Sequence, residues 1–148
     1  MRRQAILIAA LLPLLLTACG EPEDTRPGQP VAQRRAAFTK ILKSFEPMGI
    51  QLKKNRYDAD QFLLHAKTLS ELKEGPWQHF GPDTNYPPTH ATGKVWSDPE
   101  QFEAARQRFF KAADELVLAA GTRKEAAVRT AYETLHESCR NCHKTFKD

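Results

Sequence analysis

The sequence predicts an all-α domain, an antiparallel four-helix bundle with a long loop between its second and third helices. Apolar residues recur at steps of three and four in four separate segments, which is the pattern of amphipathic helices. No segment shows sustained alternation of apolar and polar residues, so no sheet is expected. The 148 residues suffice for one domain with its own core and are too few for two.

The first predicted helix runs from about Val31 to Lys53, and the second from about Asp58 to Lys73. Pro47 should kink the first helix, at a cost of about 3 kcal/mol if nothing compensates. Asp58 and Gln61 resemble a capping box for the second. The predicted inward-facing residues are Phe38, Ile41, Leu42, Phe45, Met48 and Leu52 in the first helix, and Ala59, Phe62, Leu63, Ala66, Leu69 and Leu72 in the second.

Residues 74–96 form the predicted loop, whose aromatic residues Trp77, Phe80 and Trp96 we expect to pack back onto the bundle. A capping box at Ser97 and Glu100 begins the third helix, and Thr122 with Glu125 begins the fourth. The predicted inward faces are Phe102, Ala105, Phe109, Ala112, Leu116 and Ala119, then Val128, Ala131, Leu135, Cys139, Cys142 and Phe146.

The N-terminus is typical of a secretory signal. Arg2 and Arg3 precede an apolar stretch from Ala5 to Leu16, which is too short for a stable membrane span. If residues 1–18 are removed, 20 Lys and Arg remain against 18 Asp and Glu, a net charge of +2. This small charge, without runs of one sign, argues against nucleic acid as a partner.

The sequence Leu16-Thr17-Ala18-Cys19 resembles a bacterial lipoprotein box, which implies cleavage before Cys19 and a lipid on its thiol. We therefore predict a signal peptide over residues 1–18, a lipidated Cys19 with a flexible tether over 19–30, and the bundle over 31–148. Gly20 is not Asp, so the same resemblance implies a periplasm-facing position at the outer membrane. The alternative is an ordinary signal peptide cut nearby, with Cys19 incidental.

A haem-attachment motif lies near the C-terminus, where Cys139-Arg140-Asn141-Cys142-His143 fits C-x-x-C-H. Residues three and four apart share one face of a helix, so both thiols can bond one porphyrin and His143 can ligate its iron. We predict one covalently bound haem c inside the bundle. A redox-active cysteine pair, a zinc site and a plain disulfide are the weaker alternatives.

Together with this motif, the loop sequence Pro76-Trp77-Gln78-His79-Phe80-Gly81-Pro82 and the pattern Arg34-x-x-x-Phe38 resemble the cytochromes c-prime and c-556. Further similarity lies in Tyr57-Asp58-Ala59 and Trp96-Ser97-Asp98. The resemblance covers about Arg34 to Lys147 and implies that Arg34 contacts a haem propionate. It also implies that Phe38 lies over the iron, where the c-556 proteins have a Met ligand.

The resemblance implies a five-coordinate, high-spin haem that binds NO and CO, with one-electron redox activity, no catalytic residues and no enzymatic reaction. A role in NO protection and a homodimer are further expectations, and the redox partner is unknown. Two positions depart from the family: Lys147 replaces an Arg, and Pro47 replaces a non-proline residue. The alternatives are a six-coordinate electron carrier with Met48 as ligand, and a haem-free, lipid-anchored interaction module.

Overall fold

A computed structural model describes residues 22–148 of the chain. Four long helices make up most of it: α1 (Pro30–Lys53), α2 (Ala59–Leu72), α4 (Pro99–Gly121) and α5 (Glu125–Phe146). The intervening loop holds a 3-10 turn (Trp77–His79) and the short helix α3 (Lys94–Ser97). The predicted signal peptide and Cys19 lie outside the described residues.

The four long helices form the predicted bundle. Helix α2 packs against α1 and α4, and α4 packs against α5, whereas α1 and α5 make hardly any close backbone contact. The main core is continuous through all four helices and includes Met48, Phe62, Leu69, Leu116 and Leu135, each fully buried. The prediction of an all-α bundle is confirmed, and the open side lies between α1 and α5.

Three predicted helix starts need correction. The Asp58 carboxylate does cap α2, accepting from the Asp60 and Gln61 backbone N–H groups, but the Asp58 N–H donates to the Gln51 side chain instead of to Gln61. Helix α4 is capped by Asp98 rather than Ser97, because the Asp98 carboxylate accepts from Gln101 N–H. Helix α5 begins at Glu125, after Lys124, without a side-chain cap.

The predicted inward faces are largely correct, but the apolar pattern missed three fully buried residues: Val31, Ala113 and Ala120. Leu42 is 47% exposed, and Tyr132, which was not predicted to face inward, is only 8% exposed. Helix α1 is continuous through Pro47. Arg34 and Ser44 are buried on the inner face of α1, where an apolar stripe alone would not place them.

Residues before α1 are folded against the domain rather than forming part of a free tether. Asp24 is 3% exposed, and its carboxylate accepts from the backbone N–H groups of Val31 and Ala32 and from the Tyr86 hydroxyl. It thereby caps α1 in place of Gln29, whose backbone is left-handed. Asp24, which lies within the predicted tether over residues 19–30, is thus packed against the helical domain.

The long loop packs onto the bundle as expected from its aromatic residues. Trp77 lies against Phe38 of α1 and against Phe102, Phe109 and Phe110 of α4, with ring centroids 5.6 to 6.1 Å apart. The Trp96 indole N–H donates to Gly81 O at 2.9 Å. Among residues 22–148, no helix is long and apolar enough to span a membrane.

Candidate functional site

The predicted attachment motif lies in the last two turns of α5. Cys139 and Cys142 are half-buried, and they are not joined by a disulfide bond. Cys139 packs against the main core, while Cys142 packs against a second cluster formed by Val95, Ala105 and Phe146. Helical spacing therefore places both thiols on the inner side of α5, as predicted.

The end of the long loop holds the C-terminus of this helix in place. Ala91 and Lys147 form an antiparallel β-bridge, and Thr92 N–H donates to Phe146 O at 3.0 Å. The Thr92 hydroxyl also donates to Thr145 O at 3.0 Å. These bonds use carbonyls that the last helical turn leaves unpaired, so the motif is carried by a helix end that cannot easily fray.

Neither thiol has the properties of a reactive cysteine. Burial raises the pKa of Cys139 to about 11, and a hydrogen bond with Ser138 only partly opposes this effect. Burial also raises the pKa of Cys142, although the Arg108 guanidinium acts in the other direction. A redox-active cysteine pair requires a lowered thiol pKa, so the raised pKa values of Cys139 and Cys142 give that alternative no support.

His143 is exposed at the surface of α5. The protein atoms packed around it lower its pKa, and the nearby Lys147 ammonium lowers it further. A lowered pKa favours the neutral imidazole, the form in which histidine binds metals. Lys147, which replaces the arginine usual in the family, thus lies close to the predicted iron ligand.

Phe38 lies on the inner side of α1 beneath the loop. Its ring meets Trp77 edge-on at 5.6 Å between centroids and Phe80 at 6.4 Å. Phe80 in turn contacts Phe102, and Phe102 contacts Phe146 of α5, at 5.0 and 5.2 Å. A chain of aromatic rings therefore runs from Phe38 to the cluster that includes Cys142.

Arg34 is a buried cation that neutral oxygen atoms hold. Its Nη1 donates to His79 O at 2.9 Å and to Thr84 Oγ1 at 3.4 Å, and its Nη2 donates to Thr89 Oγ1 at 2.6 Å. Its guanidinium carbon lies 4.3 Å from the centroid of the Phe80 ring. Burial lowers its pKa, and Tyr86 and Asp24 partly offset this. Within the described chain, no carboxylate forms an ion pair with Arg34, which leaves its charge available to an anionic group.

The pairing of α1 with α5 places Phe38 level with His143. Phe45 lies 5.7 Å from His136 between ring centroids, so these residues are opposite each other on two antiparallel helices. Phe38 precedes Phe45 by seven residues, and His143 follows His136 by seven. Two helical turns along each helix therefore bring Phe38 to the level of the motif, opposite His143 by this contact and opposite Cys139 by the Phe45–Tyr132 stack at 4.7 Å.

These side chains fit a c-type haem by their chemistry. Two thiols and an imidazole share one helix end, aromatic rings provide apolar walls, and a buried guanidinium can pair with a carboxylate. The thinly packed side of the bundle, between α1 and α5, is where such a group would lie. Neither of two surface cavities, of about 620 and 220 Å³, is lined by any predicted site residue.

Sequence reasoning missed the residues that support this site. The apolar pattern gave no sign of the Thr84 and Thr89 hydroxyls that hold Arg34, because they come from a loop about fifty residues away. It also missed Tyr132, which stacks on Phe45 at 4.7 Å. Its position three residues before Leu135 and four after Val128 was the signal that could have identified it.

The sequence and the fold both match one group of known proteins. A family model described as cytochrome C′ matches residues 29–147. Cytochrome c′ of Rhodospirillum rubrum is 30% identical over 146 residues, 98% of each chain. Cytochrome c′ of Rubrivivax gelatinosus is 32% identical over 125 residues, which cover 83% of this chain and 97% of the relative.

Solved structures agree with the sequence matches. Cytochrome c prime from Shewanella frigidimarina superposes with a TM-score of 0.79 at 28% identity, over 84% of this chain and 98% of that one. A nitric oxide complex of a variant from Alcaligenes xylosoxidans superposes with a TM-score of 0.77 at 29% identity, over 85% and 99%. Given a bundle of this topology with C-x-x-C-H at its C-terminal end, the chain belongs to the cytochrome c′ family, whose members are haem proteins of electron transfer and gas binding.

Proposed function

We propose that the protein carries one haem c, bonded to Cys139 and Cys142 and ligated by His143, and that its iron is five-coordinate and binds NO and CO. The observation that carries this proposal is the contact of Phe45 with His136, which by helical spacing puts Phe38 at about the level of His143. A phenyl ring has no lone pair for iron, so Phe38 cannot itself be a ligand on the side that it faces. Solved structures of cytochrome c prime variants from Alcaligenes xylosoxidans include one with bound nitric oxide and one with bound carbon monoxide, which supports gas binding by this protein.

The protein contributes binding, exclusion of water and charge, while the haem supplies reversible gas binding and one-electron exchange. His143 provides the imidazole nitrogen, and Lys147 places a positive charge beside it. Phe38, Trp77 and Phe80 form an apolar surface that disfavours water and anionic ligands relative to neutral NO or CO. Arg34 would hold a propionate, as the resemblance implies.

The alternative is a six-coordinate electron carrier with Met48 as ligand. Met48 is fully buried in the main core, and it adjoins Gly49, which lies against Tyr132 of α5. Tyr132 precedes His143 by eleven residues, about 16 Å of helix. Met48 therefore fills core space away from the level of His143, and the five-coordinate proposal is favoured.

A visible absorption spectrum of the purified ferrous protein tests the proposal. A high-spin Soret band that changes on addition of CO is the expected result. A low-spin spectrum that becomes high-spin in Met48→Leu would establish the electron-carrier alternative. The absence of any Soret band in protein made with an active haem-attachment system would favour the haem-free interaction module.

Covalent attachment is tested separately, on single cysteine variants that keep one thioether and therefore keep the fold. In Cys139→Ala, one vinyl group of the porphyrin remains unsaturated, so the band of the pyridine complex should move to longer wavelength. Cys142→Ala should give the same shift. An unchanged band position in either variant would show that this cysteine carries no thioether.

We also propose that lipid on Cys19 anchors the protein, facing the periplasm, at the outer membrane, with NO protection as its role there. Cys19 lies outside the described residues, so the support comes from the lipoprotein-like sequence alone. Cys19→Ser should release the protein into the soluble fraction or block its processing. Recovery of the unaltered protein in that fraction without detergent would contradict the anchor. Gel filtration of the Cys19→Ser protein from the soluble fraction tests the predicted homodimer through the apparent molecular mass.

A further inference from the structure

The Tyr132 side chain of α5 reaches across to the α1 backbone at Gly49. A Cβ atom built on Gly49 would overlap the Tyr132 hydroxyl oxygen and lie 3.2 Å from Tyr132 Cζ. Only a residue without a side chain therefore allows this approach. Gly49 lies inside α1, where glycine costs about 1 kcal/mol relative to alanine, so helix propensity does not account for its presence.

Neighbouring aromatic rings hold Tyr132 in position. It is 8% exposed, and its ring is stacked on Phe45 at 4.7 Å with an interplanar angle of 10°. Phe62 of α2 meets the same ring edge-on at 6.5 Å. Because neighbouring rings confine Tyr132 on these sides, an added methyl group at Gly49 would displace the α1 backbone rather than the tyrosine.

The Gly49–Tyr132 contact joins α1 and α5 on the open side of the bundle. Seven residues along each helix from Phe45 and His136, Phe38 and His143 are at about the same level, and there the space between the helices would take the proposed haem. We propose that the Gly49–Tyr132 contact is the spacer that sets the distance between α1 and α5, and so how closely Phe38 crowds the gas-binding side of the iron. Gly49 and Tyr132 are thus positioning residues, and this inference rests on the proposed five-coordinate haem.

The test compares holoprotein variants by CO affinity and by the free energy of unfolding in denaturant. Gly49→Ala should separate the helices, relieve crowding by Phe38 and raise CO affinity about fivefold, the lower end of typical coupling between sites. It should also destabilise the fold. Gly121→Ala is the matched control, since this helical glycine has no atom within 4 Å of a built Cβ. It should leave CO affinity unchanged.

Tyr132→Phe removes the oxygen that a Cβ at residue 49 would overlap, so it serves as a suppressor. In the double variant Gly49→Ala/Tyr132→Phe, both CO affinity and stability should return most of the way to the values of Tyr132→Phe alone. If Gly49→Ala matches the Gly121→Ala control in both measurements, or if Tyr132→Phe does not suppress its effects, the spacer is refuted.

The two proposals can fail independently. A low-spin wild-type spectrum refutes the five-coordinate haem, and with it the effect on gas affinity, while unfolding and its suppression still decide whether Gly49 and Tyr132 space the helices. If the wild type is high-spin and binds CO, but Gly49→Ala changes neither CO affinity nor the free energy of unfolding, the proposed function is upheld and the spacer role of Gly49 and Tyr132 is refuted.

Discussion

The Arg34 guanidinium donates to the Thr89 hydroxyl at 2.6 Å, and through this bond a loop residue holds a buried cation of the first helix. Thr89 Oγ1 also accepts from Ala91 N–H at 3.0 Å. Ala91 is bridged to Lys147, next to the end of α5. The charge on α1 and the attachment motif on α5 are thus connected through one loop.

Arg34→Gln should lower the reduction potential of the haem. The ferric haem carries one more positive charge than the ferrous haem, so a nearby guanidinium favours the ferrous form and its removal favours the ferric form. Redox titration followed by absorbance measures the change. Arg56→Gln, an exposed arginine beyond the end of α1, is the control for net charge. Equal shifts in the two variants would contradict a specific role for Arg34.

Asp24→Asn should weaken the dependence of stability on acid pH. Burial alone would raise the pKa of Asp24, but hydrogen bonds from Tyr86 and from the N–H groups of Ala32, Arg26 and Val31 outweigh it, and the pKa falls below the ordinary 3.8. Because the folded pKa is lowered, this carboxylate stabilises the fold above pH 3.8, and the effect is lost as the pH falls through the lowered value.

Thermal unfolding from about pH 6 down to about pH 3 checks this prediction. The wild type should lose more stability than Asp24→Asn over this range, since the amide cannot titrate. Glu23→Gln, an exposed neighbour, should follow the wild type. Parallel curves for wild type and Asp24→Asn would mean that Asp24 titrates alike in the folded and unfolded chains.

Phe38→Ala should raise CO affinity by removing the ring that crowds the gas-binding side. Phe38→Met should instead provide a thioether at the position where the c-556 proteins have their ligand, and should turn the ferrous spectrum low-spin. Equilibrium CO titration and the ferrous absorption spectrum measure these two results. Phe45→Met is the matched control, since Phe45 lies two turns away beside Tyr132. A low-spin Phe45→Met spectrum would place the iron nearer the middle of the bundle.

Leu135→Ala should destabilise the bundle by about 2–5 kcal/mol, because the side chain is fully buried in the core and its removal leaves a cavity. The matched control is Leu118→Ala, at a leucine that is 73% exposed, which should change stability by less than about 0.5 kcal/mol. Chemical denaturation of both holoproteins provides the comparison. Similar losses in the two variants would be inconsistent with the described core.

The apolar repeats alone were enough to predict four helices and their inner faces, because helical periodicity is a local property of the chain. Leu42 shows the limit of this reasoning. It has the spacing of a core residue and is nevertheless 47% exposed, because no helix among residues 22–148 covers its side chain. Asp98 capped α4 instead of Ser97, because either residue can serve as a cap by type and the backbone decides between them.

The sequence by itself also determined the attachment motif, since Cys139, Cys142 and His143 are close on any helix that contains them. Only the tertiary structure decided what lies opposite them. The level of Phe38 with His143, the loop hydroxyls on Arg34 and the Gly49–Tyr132 approach all join segments that are distant in the chain. Such contacts depend on the register of helix packing, which the apolar pattern of a single helix does not specify.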